Sequence, residues 1–430
     1  NSNPSVVLVP PAAIEENQFA TLQGTITDVG TLDTFTLTIH WGDPASPNDV
    51  QTFDLGTTPL SEAADGINWD PVTRTFSLTH QYLDDNPSGT PDDLYTINVT
   101  ATDDDLGVGT AQTTVLVKNV GFTVVLQPVS PIDENGFAEL QGTINDPGTR
   151  DTFELEINWG DPASPDNIQT FNLGDTPLTQ AADGIDWDPV TRTFTVIRQY
   201  LDDNPTATGS DTYAINIKLT GDDLSTDMET TSVVVRNIAP QLIFQPVTPI
   251  DENGTAVLEG HVSDPGTRDT FTIVIDWQDP LSPNNNQTFT LGNTVLTEAV
   301  DGINWDPTTR VFSLSHQYLD DNPTGSDGDS YPVTVAITDD DTGSGLGIAP
   351  IEVRNVDPFV LLDPVAQIDE GGVATLTGSF TDVGVLDTHD VYIDWGDGTS
   401  TLLTNVGANG AGSFMATHTY ADNDTDSTID

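Results

Sequence analysis

The chain has 430 residues, 68 of them Asp or Glu against 10 Lys or Arg, for a formal charge of −58. So few cations cannot build the basic patch that a nucleic acid or an anionic membrane surface requires, which leaves divalent cations, basic partners or solubility as uses for the charge. The length exceeds one ordinary domain, the 36% hydrophobic residues and seven tryptophans argue against disorder, and the lack of cysteine removes disulfides, thiolate zinc sites and thiol catalysis together. No apolar run approaches the roughly 20 residues of a membrane-spanning helix, so no membrane insertion is expected. The N-terminus lacks the basic and apolar pattern of a signal peptide, so the chain reads as mature or as a fragment.

In chain order, "SVVLVPP" and "QFATLQGTI" open as two strands, followed by "FTLTIHW" at 35–41. "GINWDPVTRTFSL" at 66–78 reads as a hairpin, its turn opened by Asp70-Pro71 and closed by Thr73-Arg74. "TFSLTHQY" at 75–82, "YTINVTAT" at 95–102 and "QTTVLVKN" at 112–119 alternate apolar and polar residues with the period of two that buries one face of a strand. No stretch has a helical period. About seven or eight short strands separated by Pro, Gly, Asp and Asn predict an all-β fold, an antiparallel β-sandwich.

The unit then repeats. Trp41, Trp159, Trp277 and Trp395 stand in register, as do Trp69, Trp187 and Trp305, and as do Asp28, Asp146, Asp264 and Asp382, always with a step of 118 residues. Repeats are therefore assigned to 1–118, 119–236, 237–354 and 355–430, beginning at Asn1, Asn119, Asn237 and Asn355. The fourth ends before any counterpart of "LYTINVTATDDDLGVGTAQTTVLVKN" and lacks its last two strands, which is expected of a segment of a longer chain or of a subunit that receives strands from another. No Gly/Ser linker separates the copies, so neighbours should hold a set orientation and the array should behave as a rod. Arg74, Arg192 and Arg310, constant in so acidic a chain, are expected to pair with carboxylates.

The fourth copy, "IDEGGVATLTGSFTDVGVLDTHDVYIDWGDGTSTLL", with "DWGDG" at 394–398 and "HTY" at 418–420, resembles a polycystic-kidney-disease-type (PKD-like) immunoglobulin-fold repeat. The other copies depart from it, replacing the glycine turn by "HWGDPASP", "NWGDPASP" and "DWQDPLSP" and adding a longer arm with the second tryptophan. The resemblance implies extracellular modules of bacterial or archaeal surface proteins and secreted hydrolases, serving as spacers or adhesive stalks, noncatalytic and in some members calcium-binding.

Calcium accepts six to eight hard oxygen ligands in irregular geometry, which suits Asp, Asn and loop carbonyls. In the first copy Asp28 and Asp33 flank "DVGTLD", and Asp103, Asp104 and Asp105 end the penultimate strand; sandwich topology can bring both to one end, where Asn119 is expected to join them. The counterparts are Asp146, Asp151, Asp222, Asp223 and Asn237, then Asp264, Asp269, Asp339, Asp340, Asp341 and Asn355, and finally Asp382 and Asp387. The resemblance points to the same two elements. Strand alternation turns Asp103 and Asp105 one way and Asp104 the other, and because Gly221 stands at the place of Asp103, Asp105 and its equivalents are the preferred ligands.

A second acidic loop, "LDDNP" at 83–87, 201–205 and 319–323 with "ADND" at 421–424, reads either as a solvated turn or, with Asp92 and Asp93, as a second cation site. Glu15 and Glu16, with Glu134, Glu252 and Glu370, read equally as ligands or as edge charges. Asp43, Asp161, Asp279 and Asp397 are expected to order a turn. No histidine spacing or nucleophile motif supports catalysis, only Lys118 and Lys218 exist for isopeptide chemistry, and the Asn-x-Ser/Thr triplets at Asn98, Asn253, Asn286 and Asn423 share no repeat position. The expectation is an extracellular, calcium-stiffened structural filament or stalk that self-associates end to end or continues into further repeats. The alternative is an adhesin or carbohydrate-binding accessory region with a polysaccharide or cell-surface ligand, which would need Trp69, Trp187 and Trp305 exposed; burial is expected instead.

Overall fold

The alternation of the first copy becomes two sheets in the computed structural model, which describes residues 2–85, 88–321 and 324–421. Parts of the acidic loops (86–87, 322–323 and 422–424) and Asn423 lie outside the described residues. The strands are β1 (Ser5–Val9), β2 (Ile14–Glu15), β3 (Phe19–Thr27), β4 (Phe35–His40), β5 (Val50–Leu55), β6 (Asn68–Asp70), β7 (Thr75–Gln81), β8 (Asp92–Asp103) and β9 (Val108–Lys118), with one helical turn, α1 (Glu62–Asp65), before β6. One sheet has the order β1-β3-β7-β6 and the other β2-β9-β8-β4-β5. All pairings are antiparallel except β2 with β9. Splitting the first edge between the sheets, with the central strands distributed in this way, is the immunoglobulin arrangement. The same two orders recur in the second and third copies.

Each copy has its own core. In the first, Leu22 and Leu78 of one sheet meet Leu37, Ile39, Ile97 and Val117 of the other, each burial being worth about 1.5–3 kcal/mol. Trp41 lies at the centre, its indole N–H bonded to Gln51 Oε1 at 2.7 Å. Trp69, Trp187 and Trp305 are also buried and donate to the carbonyls of Gly56, Gly174 and Gly292. Residues 122–235 and 256–353 hold equivalent cores. In the fourth copy Phe380, Ile393, Phe414 and Ala416 form a smaller one, and Val360 is 51% exposed where Val6 and Val124 are buried. Among the described residues, no strand pairs with the second edge of Val391–Asp394, the edge that β8 covers on β4.

The chain packs as two compact units, Asn1–Ile132 with Gly136–Tyr200 and Thr212–Val235, and Asp133–Asn135 with Leu201–Asp211 and Arg236–Asp430. Among the described residues no helix is long and apolar enough to cross a membrane.

The constant arginines all bind loop carbonyls, and Arg192 and Arg310 also make the expected carboxylate pairs. Arg74 donates to the carbonyls of Asp28 and Gly30 and lies 5.1 Å over the Phe35 ring, so its fork pins the 28–33 loop to the sheet. Arg192 and Arg310 make the same carbonyl bonds and add carboxylate pairs to Asp146 (3.4 Å) and Asp264 (3.8 Å). The loop carbonyls sit nearer the guanidinium than the carboxylates do.

Candidate metal centre

Strand direction decides which acidic residues can meet. The β8–β9 ladder runs from Asp92↔Lys118 at one end to Thr102↔Val108 at the other. At about 3.4 Å per residue, its ends lie roughly 30 Å apart. The entry end carries the 28–33 loop and Asp103 to Asp105, and the exit end carries Glu16, Asp84, Asp85 and Asn119. Asn119 therefore does not join Asp28, Asp33 and Asp103; its N–H donates to Pro91 at the exit end, and the chain leaves from there into the next copy. Asn237 and Asn355 donate likewise to Gly209 and Asp327, and the Asn237 side chain reaches Asp339 of its own copy at 3.0 Å. Asn237 thus sits with a carboxylate of the copy it begins.

At the first junction, inside the first unit, the exit end of copy one meets the entry end of copy two. Thr149 N–H bonds the Leu83 carbonyl (3.0 Å), Arg150 bonds the Ala45 carbonyl (2.6 Å), and Val120 N–H bonds Glu16 Oε1 (2.7 Å). Glu16, Asp84 and Asp151 bring carboxylate oxygens within 4.8 Å of one another, and Asp84, Asp85 and Asp223 do the same beside them. That is the span of two oxygens on opposite sides of one ion at about 2.4 Å each.

The second junction, inside the second unit, repeats the pattern. Thr267 N–H bonds the Leu201 carbonyl and Ile238 N–H bonds Glu134 Oε1 (2.8 Å), at an end that carries Asp202, Asp203, Asp264, Asp269 and Asp341. At the third, Val356 N–H bonds Glu252 Oε1 (2.7 Å), and Glu252, Asp320, Asp321 and Asp387 gather within 4.8 Å. There His389 pairs with Asp382 at 2.6 Å and packs on Phe380, the role Arg192 has against Asp146 and Phe153.

Several of these carboxylates bury oxygens that no hydrogen bond reaches. Asp85 and Asp203 are 0% exposed, and neither oxygen of either has a hydrogen-bond partner. Both oxygens of Asp269 and Asp341, Glu16 Oε2, Glu134 Oε2, Glu252 Oε2 and Asp151 Oδ1 are in the same condition. Burial first, and neighbouring carboxylates after it, push Asp85 up to about 8. Burial likewise takes Glu134 to about 8, and Glu16 and Glu252 to about 7, against the hydrogen bond each accepts from the next copy. Asp151 and Asp269 move up for the same reason, each pressed against its partner, Asp146 or Asp264. An ionised carboxylate withdrawn from water without a counter-charge is strongly unfavourable. Oxygen donors alone suit a hard divalent cation of flexible geometry.

The "DDD" segment divides its tasks. Asp103 accepts from the N–H of Asp105 and Gly107, and Asp339 from those of Asp341 and Gly343, so this position closes its own turn. Asp222 and Asp340 hold Thr152 and Thr270; Asp104 is exposed. Asp223 and Asp341 are buried at the junctions, whereas Asp105 is exposed at the uncovered entry end, where Asp28, Asp33 and Asp103 still cluster within 4.8 Å. Asp93 bonds Ser88 and so closes the acidic loop on itself. Sequence reasoning left Glu16 and the Asp84-Asp85 pair undecided. The available signal was strand pairing: Phe19 opposes Gln81, which places Glu16 and Asp84 at one end.

Asp43, Asp279 and Asp397 bond His80, His316 and His418, whose rings stack on Trp41, Trp277 and Trp395, and the following Tyr82, Tyr318 and Tyr420 donate to the tryptophan carbonyls. Arg198 replaces the histidine in copy two, 3.6 Å from Asp161. These are elements of the cores.

The fold and the junctions define a tandem array of immunoglobulin-like antiparallel β-sandwiches. No family model matches the chain, and no curated protein does. Among solved structures it is similar to a tetra-tandem repeat in the extending region of a large adhesion protein, at 15% identity over 98% of this chain and 100% of that one, with a TM-score of 0.39. It is also similar to Dpr2 Ig1-Ig2 in complex with DIP-Theta Ig1-Ig3 (9% identity, 81% and 99%, TM-score 0.28) and to a marsupial T cell receptor (10%, 80% and 99%, 0.21). The class rests on the strand order and not on these likenesses.

Proposed function

We propose that the protein is an extracellular structural array whose successive sandwiches are locked by calcium at their junctions, so that it acts as a stiff fibre, surface stalk or matrix component. The observation that carries this reading is the set of buried carboxylate oxygens without a hydrogen-bond partner that both flanking copies contribute to the first and second junctions. A cation that ligates both sides converts their repulsion into attachment. The Trp-Asp-His-Tyr core of copies one, three and four favours assignment of the repeats to the PKD-like type. The partners that follow are further repeats or other copies of the chain, end to end. The carbohydrate-binding alternative loses its best candidates, since Trp69, Trp187 and Trp305 lie in the cores.

The test is a thermal melt and a scattering measurement of maximum length on the full chain, with calcium and then with chelator. Calcium should raise the melting temperature and hold the longer, narrower length distribution. If neither quantity responds, the reading fails.

A further inference from the structure

The first junction offers more than one ion can use. Glu16, Asp84, Asp85, Asp146, Asp151 and Asp223 are withdrawn from water there, with the Arg192 guanidinium as the cation beside Asp146. With Arg192, a single dication would leave half of that charge buried without compensation. The oxygens also fall into two adjoining groups: Glu16 and Asp151 lie on one side of Asp84, and Asp85 and Asp223 on the other. Asp85, a member of the second group, is fully buried and neither of its oxygens has a hydrogen-bond partner.

We infer that each of the first two junctions binds a pair of calcium ions bridged by one aspartate, Asp84 or Asp202. The inference rests on the calcium reading above and adds the number of ions and their division. At the second junction, Asp202 lies near Glu134 and Asp269 and also near Asp203 and Asp341, and each of the last two has both oxygens without a hydrogen-bond partner. A carboxylate has two oxygens and can serve two ions at once, which makes the shared residue the link between paired sites.

Calcium titration of the full chain, read by native mass spectrometry with amide hydrogen exchange on the same samples, tests the division. Asp223→Asn and Asp341→Asn should each remove one ion from the count and together remove two, while protection of the Val120 and Ile238 amides, bonded to Glu16 and Glu134, persists. Asp85→Asn, on the opposite side of the same site, should reproduce the loss at the first junction. Asp105→Asn, the same change at the uncovered end, should leave the junction ions in place, and far-ultraviolet circular dichroism in calcium reports whether each variant is folded. Calcium binding with one ion per junction, or an unchanged count in folded Asp223→Asn and Asp85→Asn proteins, overturns the paired sites and leaves the calcium reading standing. Absence of any bound calcium overturns both.

Discussion

The loop Asp28–Asp33 of copy one and the loop Asp146–Asp151 of copy two begin and end on the same residues and fold the same way, each pinned by its arginine. Their surroundings differ. The first cluster is half-buried, Asp103 covered but Asp28 and Asp33 in part reaching water and Asp105 exposed beside them, while Asp151 and Asp223 are covered by Glu16, Asp84 and Asp85 of the preceding copy. Like charges about 4 Å apart repel by only about 1 kcal/mol in bulk water, so the water that reaches the first cluster screens part of its repulsion. Covering it removes that screening and doubles the number of carboxylates. The comparison shows that an acidic loop becomes a cation centre through what the neighbour brings, and that half the ligands sit at the opposite end of the repeat from the residues that first attract notice.

The largest effect that could break this comparison is calcium removal. At a thousandfold excess over its dissociation constant, one ion contributes about 4 kcal/mol to the state that binds it. Chelation should therefore lower the melting temperature markedly and strip hydrogen-exchange protection from the Val120 and Thr149 amides, which cross the first junction. The Asp28–Asp33 loop should change little. An equal loss of protection in both loops would mean that covering makes no difference.

Next is a pair of matched substitutions at the exit ends. Glu16 is buried against copy two, whereas its counterpart Glu370 is exposed. Glu16→Gln keeps shape and removes a charge from the site, and should weaken calcium binding by about tenfold or more, the scale on which even outer-shell partners act. Glu370→Gln should match the parent. Isothermal titration of both variants decides whether the covered glutamate is a ligand or an edge charge.

A smaller effect should follow from Gly148→Ala. A methyl group there would lie 2.2 Å from Glu16 Oε2 and 2.6 Å from Asp151 Oδ1, forcing the two sides of the junction apart. Overpacking of this kind costs about 1–3 kcal/mol. The methyl of Gly30→Ala meets Asp33 alone, a side chain free to swing into water, so its cost should stay below about 0.5 kcal/mol. Similar costs in chemical denaturation with calcium present would show that the clash is settled within the loop and not across the junction.

The fold was largely legible because its strands alternate cleanly: β3, β7 and β8 bury every second residue along most of their length, as their sequences require. β5 and β2 were not. β5 is an edge strand in which only Leu55 is fully buried, so its sequence "VQTFDL" carries little pattern, and β2 has two residues and pairs in parallel with β9. At the site, the meeting of the 28–33 loop with Asp103 was legible, because both end strands that pair, Phe35 opposing Asp103. The position of Asn119 was misjudged for want of one step: β8 ends where β9 begins, so a residue after β9 must lie at the far end. The function of Asp84 and Asp85 was hidden more deeply, since it depends on a second copy and no pattern within one repeat records it.

The smallest effect separates the junctions from the cores when pH is the variable. His316 is held below its ordinary value of 6.5 by burial, partly offset by its bond to Asp279, with Trp277 and Tyr318 packed around the ring. Below about pH 6.5 the unfolded chain then binds more protons at this histidine than the native one does, so its contribution to stability is complete at neutral pH and declines as the pH falls through that value. Copy two carries Arg198 at the same place, permanently charged beside Asp161, and has no such term. In calcium-saturated protein the His316 ring protons should titrate below 6.5 by NMR, and His316→Arg should reduce the acid sensitivity of copy three. An unchanged acid response in that variant would assign the loss to the covered carboxylates, placing the pH dependence at the junctions.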